Sequence, residues 1–463
     1  MSASLEEEGL CAALANNEWR EVLRLADVAL TSRDRISRSR MHYFRLVAIE
    51  RGGLGEVDLR TKEALATHSS PSDAIDVRLA LGRVSLLRGD FETALRMGTT
   101  MKSLLAAVDK KRRAAALALE GAAKWSAGQL TDAAAAYGAA AALLKEDGDA
   151  EGEALALNNR GRVRVYVGDL QGALLDHERA LAILAQAAAG PDTDRAKAEI
   201  ENALGFALWN LGRHDQALVS LSSALAARQR TRDIDGEAVT HNNIGNVHRV
   251  CGRTEMARVA YTQAVGSSRQ SGNRLAQAIA LNNLGQMAMD AEDFGTAKIQ
   301  LDTALALAQT IGDRIREADN FASLGTCALL SGNATGAVDS LTRAVALRRQ
   351  TQDVAYLVLD LSALAAAFAS LGDTESAREM IAEVEETLST GQKGVELLQN
   401  VYFYAYEVGR AIGDDTAAHS ALTRAATELA RQVKALSNQE ARAALLRATH
   451  VNRQLLLLVP EAL

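Results

Sequence analysis

Apolar residues along this chain stand at three- and four-residue spacing, as Leu208, Leu221 and Leu301 do within their stretches, which is the spacing that lines one buried face of a helix. Polar breaks interrupt these stripes at regular intervals: "DGDAEGEA", "TRDIDGEA", "SGNRLAQA" and "IGDRIREA" each read as a short turn followed by a helix start, with Asp or Asn available to accept the first free backbone N–H groups. β-branched and aromatic strand formers are scarce, aromatics making up 4% of residues. The pattern predicts an all-α chain of short helices paired into hairpins.

The hairpins are in register. Gly205, Gly245, Gly285 and Gly325 recur every 40 residues and Ala365 continues the series. Seven residues after these anchors come Gly212, Gly252, Gly332 and Gly372, with Glu292 as the exception. Twelve residues after them stand Ala217, Ala257, Ala297, Ala337 and Ala377, and seven further on Ala224, Ala264, Ala304, Ala344 and Val384. The frame extends back through Gly161, Gly121 and Gly82 to Arg45 and Leu10, and forward to Tyr406 with Gly413, Ala418 and Ala425, which gives eleven units. Spacing slips to 44 between Gly161 and Gly205, where "AQAAAGPDTD" is inserted; Pro191 and Pro71 both fall between units, where a helix must stop. Within a unit, the anchor glycine and the alanine twelve residues on allow two antiparallel helices to approach closely. The second glycine is placed for the left-handed conformation that ends a helix, and the later alanine faces the next unit.

These positions resemble the tetratricopeptide repeat: a Leu-Gly pair on the first helix, a Gly turn, then Ala, a large residue and Ala on the second. The period is nearer 40 than the usual ~34, similar to long-helix variants in kinesin light chains, G-protein signalling modulators and the sensor regions of bacterial regulators. The resemblance implies a right-handed α-solenoid of about eleven hairpins over residues 1–434, with the first helices lining a concave face. "ALSNQEARAALLRATHVNRQLLLLVPEAL" departs from the repeat, so residues 435–463 are expected to cap the exposed apolar side of the last unit. Its wording resembles the closing helices of repeat regions in bacterial signal-transduction ATPases and related regulators, whose nucleotide- and DNA-binding parts have no counterpart here.

In such a repeat, positions three before, one after and four to five after the anchor turn toward the concavity. Asn158, Asn202, Asn242 and Asn282 occupy the first of these in four consecutive units. Along the same face follow Arg162 and Tyr166, Phe206 and Trp209, Asn246 and Arg249, and Gln286 and Asp290. An amide both donates and accepts, which suits the backbone of an extended peptide, and aromatic residues among amides form an anchor pattern. The same asparagines could instead bond one another across repeats, since a buried amide without a partner costs roughly 1–3 kcal/mol. "VYFYAYEVGR" concentrates Tyr402, Phe403, Tyr404 and Tyr406, expected to pack under the terminal cap, and "GRVRV" offers Arg162 and Arg164 as an anion candidate.

Composition removes several alternatives. A net charge of −7 over 463 residues argues against bulk nucleic-acid binding. No apolar run approaches the ~20 residues that cross a bilayer, and "MSASLEEEGL" is acidic where a secretory leader would be basic; a cytoplasmic protein without a membrane partner is expected. Cys11, Cys251 and Cys327 are too far apart to suggest a disulfide framework or a zinc site, and His241 and His248 point in different directions in the repeat frame. No phosphate-cradling loop, nucleophile elbow or paired carboxylate appears, so neither catalysis nor a cofactor is expected. The reading is a non-enzymatic signalling or regulatory adaptor holding a protein segment or peptide in its concave groove. The alternatives are a regulator's sensor for a small molecule in the same groove and a self-associating scaffold.

Overall fold

The computed structural model describes residues 71–463 except 88–89, 188–189, 352, 390–396 and 437–438, together with Val22 and Ala26. The units anchored at Leu10 and Arg45 therefore lie outside the described residues, as does Cys11. Twenty α-helices follow one another, with no strand among the described residues. The chain divides into two compact units, Met1–Asn210 and Leu211–Leu463.

In the first unit the helices are α1 (Pro71–Leu87), α2 (Phe91–Met101), α3 (Lys110–Ser126), α4 (Leu130–Asp147), α5 (Ala150–Val167), α6 (Leu170–Gln186) and α7 (Pro191–Asn210). Each packs against the next, and first helices also meet, α1 with α3 and α5 with α7. The second unit holds α8 (His214–Thr231), α9 (Ile234–Val250), α10 (Thr254–Ser271), α11 (Arg274–Asp290), α12 (Phe294–Ile311), α13 (Arg314–Leu330) and α14 (Ala334–Thr351). It continues through α15 (Val354–Ser370), α16 (Thr374–Ser389), α17 (Leu398–Ile412), α18 (Asp415–Ala435), α19 (Gln439–Ala448) and α20 (His450–Leu458). Here too first helices lie side by side, α9 with α11 and α11 with α13. The all-α stack of helical hairpins is thus the fold.

The polar breaks work as their sequence implies. Asp149, Asp169, Asp233, Asn273, Asp293 and Asp414 each accept a backbone N–H two or three residues into the helix that follows, satisfying donors that would otherwise be orphaned. The hairpin turns pass through Gly212, Gly252, Gly332 and Gly372 at φ of 73°, 68°, 82° and 79°. Glu292 takes the same conformation at φ 62° without the freedom of glycine.

Close approach within a hairpin has a more specific partner than the alanine twelve residues on. A Cβ added to Gly121 would meet the ring of Tyr137, on Gly161 that of His177, on Gly245 that of Tyr261, and on Gly285 and Gly325 the side chains of Leu301 and Leu341. In every case the large residue sixteen positions on lies over the glycine. The alanines frame it: Ala257, Ala264, Ala297, Ala304, Ala337 and Ala344 are all fully buried. In the last hairpin the close glycine is Gly409, one turn beyond Tyr406, and it abuts the backbone of Ala418.

Phe403 and Tyr404 are buried in one core with Val451 and Leu455 of α20, so the aromatic cluster packs beneath the terminal helices. Those helices also travel further than a cap on the last repeat requires. α19 lies against α9, with Ala444 filling the space beside Gly252, and Arg453 of α20 reaches the end of α11. α20 itself packs on α17 and α18, with Val451 and Leu455 buried.

Candidate functional site

In the first unit three successive first helices end in aromatic residues. Trp125 on α3, Tyr166 on α5 and Phe206 and Trp209 on α7 form a continuous row, with ring centroids 5.7 Å, 6.4 Å and 5.5 Å apart in that order. They meet because first helices of neighbouring hairpins lie side by side and each ring follows its anchor glycine by four or five residues, apart from Phe206, which follows by one. Tyr166 is 62% exposed, so the row opens to solvent at its middle. The guanidinium carbon of Arg162 sits 4.9 Å from the Trp125 ring centroid and its Nη1 is 3.9 Å from Glu199. Stacking on an indole leaves the N–H edge of a guanidinium free to donate.

The structure therefore brings Arg162, Tyr166, Phe206 and Trp209 together. Asn158 lies beneath them, fully buried, donating to Glu199 Oε1 at 3.3 Å; Asn202 is half-buried on α7. Arg164 diverges from Arg162: it donates to the buried Asp176 at 2.8 Å and to the Gly172 carbonyl at 3.1 Å inside the α5–α6 hairpin. The two arginines do not form one anion site.

In the second unit the amides tie first helices to one another. Asn283 Nδ2 donates to Asn242 Oδ1 at 2.8 Å, and the Tyr261 hydroxyl donates to Asn246 Oδ1 at 2.7 Å. Asn282 is buried; its Nδ2 donates to Asn320 Oδ1 at 2.9 Å and Ser323 Oγ at 3.2 Å, while its Oδ1 accepts from Gln286 Nε2 at 2.7 Å. Arg249 continues the chain, donating to Gln286 Oε1 at 2.8 Å and lying 3.5 Å from Asp290. Burial raises the Asp290 carboxyl above its ordinary range, opposed by Arg249 and then Arg453. Of the two roles the asparagine pattern allowed, bonding between repeats is the geometry seen for Asn242 and Asn282, while Asn246 bonds chiefly to Tyr261 within its own hairpin.

His241 is buried and His248 half-buried on separate turns of α9, and among the described residues no group of three or more His, Cys, Asp or Glu is placed to hold a metal ion. None of the described helices is long and apolar enough to cross a membrane. Trp125 and Glu199 escaped the sequence reading. Extending the anchor-plus-four rule two units back from Trp209, to the anchor Gly121, would have found Trp125, whereas nothing in the local sequence marks Glu199.

Residues 196–270, from α7 through most of α10, match the tetratricopeptide repeat family model. Among solved structures, a Rap protein complexed with Competence and Sporulation Factor superposes with a TM-score of 0.53 at 16% identity, covering 83% of this chain and 98% of that one. The Rap conjugation gene regulator of plasmid pLS20, in complex with the Phr* peptide, gives 0.50 at 13% identity, covering 80% and 99%. The apo form of RapI gives 0.50 at 15%, covering 77% and 99%. At such identities the likeness is one of fold. No curated protein sequence matches the chain. The matched segment shares its anchor glycines, left-handed turns and buried alanines with the hairpins on either side of it, so hairpins similar to the tetratricopeptide repeat recur along the described chain beyond residues 196–270.

Proposed function

We propose that this chain is a non-enzymatic adaptor that binds an extended protein segment along the aromatic row of its first unit. The observation that carries this reading is the unbroken line Trp125, Tyr166, Phe206, Trp209, with Tyr166 62% exposed and Arg162 stacked at one end. Rings offer large apolar area with few rotors to freeze, so they gain more on contact than aliphatic chains of equal size. Apolar side chains of the bound segment would lie between the rings, and a backbone carbonyl or carboxylate would take the Arg162 N–H donors that Asn159 and Glu199 leave over. The amides of Asn242 and Asn282 would hold the first helices of the second unit in register.

Two of the similar structures hold a named factor or peptide, and one is described as a conjugation gene regulator. That likeness supports a regulatory adaptor by analogy of fold. The test is selection of a displayed random peptide library on the full chain, followed by affinities of the selected peptides for wild type, Tyr166→Ala and Trp209→Ala. Binding should weaken at least tenfold in each variant, and the melting temperature should change little in Tyr166→Ala, whose ring contributes little to the core. Selected peptides that bind both variants as tightly as wild type would overturn the reading.

A further inference from the structure

Glu292 breaks the repeat where the other hairpin turns of the second unit use glycine, and it does so in the left-handed region, at φ 62°. A non-glycine residue held there is strained, and such strain persists where a side chain is needed for something a glycine cannot supply. The Glu292 carboxylate stands 3.9 Å from Arg453 Nη2, the same nitrogen that donates to the Asp290 carbonyl at 2.9 Å. The start of α20 lies beside the Asp290 carboxyl, whose raised pKa the His450 backbone N–H opposes slightly. One turn earlier in the stack, a Cβ on Gly252 would overlap that of Ala444 on α19. Two successive hairpin turns, after α9 and after α11, thus receive the two C-terminal helices. The contacts are polar at the α11 end, whereas Val451 and Leu455 are buried among the last hairpins at the other.

We propose that the turn after α11 is a guanidinium-binding site. The Asp290 carbonyl and the Glu292 carboxylate receive Arg453, which latches α19 and α20 across the first helices of the second unit. An arginine side chain on a partner's segment takes the same place when the latch opens. A guanidinium fits because it stays charged at any working pH and one of its nitrogens, Nη2, can donate to the carbonyl while standing within ion-pair range of the carboxylate. The apolar anchor on the last hairpins remains in place while the polar end is exchanged. The inference is independent of the aromatic row in the first unit.

The experiment uses the full chain. Arg453→Ala removes the occupant, and Glu292→Gly removes the carboxylate while installing the residue the other turns carry, so the hairpins should stay folded. Hydrogen exchange across α19 and α20 should rise at least threefold in both variants, with α15–α18 unchanged. A labelled peptide spanning residues 449–456 should bind the Arg453→Ala chain at least tenfold more tightly than the same peptide with alanine in place of its arginine. That difference should vanish in the Arg453→Ala/Glu292→Gly double variant. Wild-type exchange in α19 and α20 of both single variants, or peptide binding indifferent to the arginine, would overturn the proposal.

Discussion

Leu301 occupies the space a side chain on Gly285 would need: a Cβ there would lie 2.7 Å from Leu301 Cγ and 2.8 Å from its Cδ2, and Leu301 is fully buried. The leucine has nowhere to turn, since Ala297 and Met289 close its cluster. Gly285→Leu should therefore destabilise the second unit by about 1–3 kcal/mol or more, and Gly285→Ala by less. Urea unfolding followed by circular dichroism checks this, and an unchanged midpoint for the leucine variant would disprove the contact as a limit on packing.

His177 fills the place that Leu301 and Leu341 fill in other hairpins, over Gly161, with neither ring nitrogen hydrogen-bonded. Burial lowers its pKa from 6.5 to about 4, the neighbouring Asp176 opposing the shift and Arg162 adding to it. The folded state therefore binds fewer protons than the unfolded state between these values, and stability falls as pH drops through that window, by roughly 3 kcal/mol at most. His177→Leu should remove this share of the acid sensitivity. The difference between their urea midpoints should be constant above pH 6.5 and shift progressively against wild type as pH falls toward 4, where the component due to His177 is largest.

Arg348 is 2% exposed and faces Asp319 at 2.6 Å, Asp353 at 2.9 Å and Asp360 at 3.2 Å. Burial pushes the Asp360 carboxyl up to about 7 even against the arginine. Arg348→Met should cost about 3–5 kcal/mol at neutral pH, because it leaves the buried Asp360 and the half-buried Asp319 and Asp353 without their cation. Protonation then relieves the variant, so its deficit relative to wild type should shrink as pH falls from 8 toward 5. Thermal melts of both proteins across that range decide it.

Asn282 bonds to Asn320, Ser323 and Gln286 at once. Asn282→Ala should cost about 1–3 kcal/mol by leaving those partners unsatisfied, despite the better helix propensity of alanine. Adding Asn320→Ala should cost less than the two single changes summed, since the lost bond is shared. Additive costs in a double-mutant cycle would mean that the amides act separately. Asn202→Ala, Asn242→Ala and Asn282→Ala combined should lower the melting temperature in the same way if bonding between repeats is their main task.

The repeat was legible in the sequence because its determinants are local. An Asp that caps a helix serves donors two or three residues away, a left-handed turn selects glycine at its own position, and Gly285 meets Leu301 sixteen residues on, within the same hairpin. Such contacts repeat with the chain, so periodicity reveals them. What tertiary structure decided lies between hairpins. An asparagine three residues before the anchor sits where a small rotation turns it either to solvent or to the next first helix, and only the stacking put Asn282 against Asn320. Trp125, Tyr166 and Phe206 belong to three hairpins and become one row only when first helices lie side by side. Glu292 showed in the sequence as a broken rule without a reason; the reason is Arg453, whose partner Asp290 is 163 residues away. No period carries a contact of that range, because it depends on where the accumulated stack of hairpins brings the end of the chain.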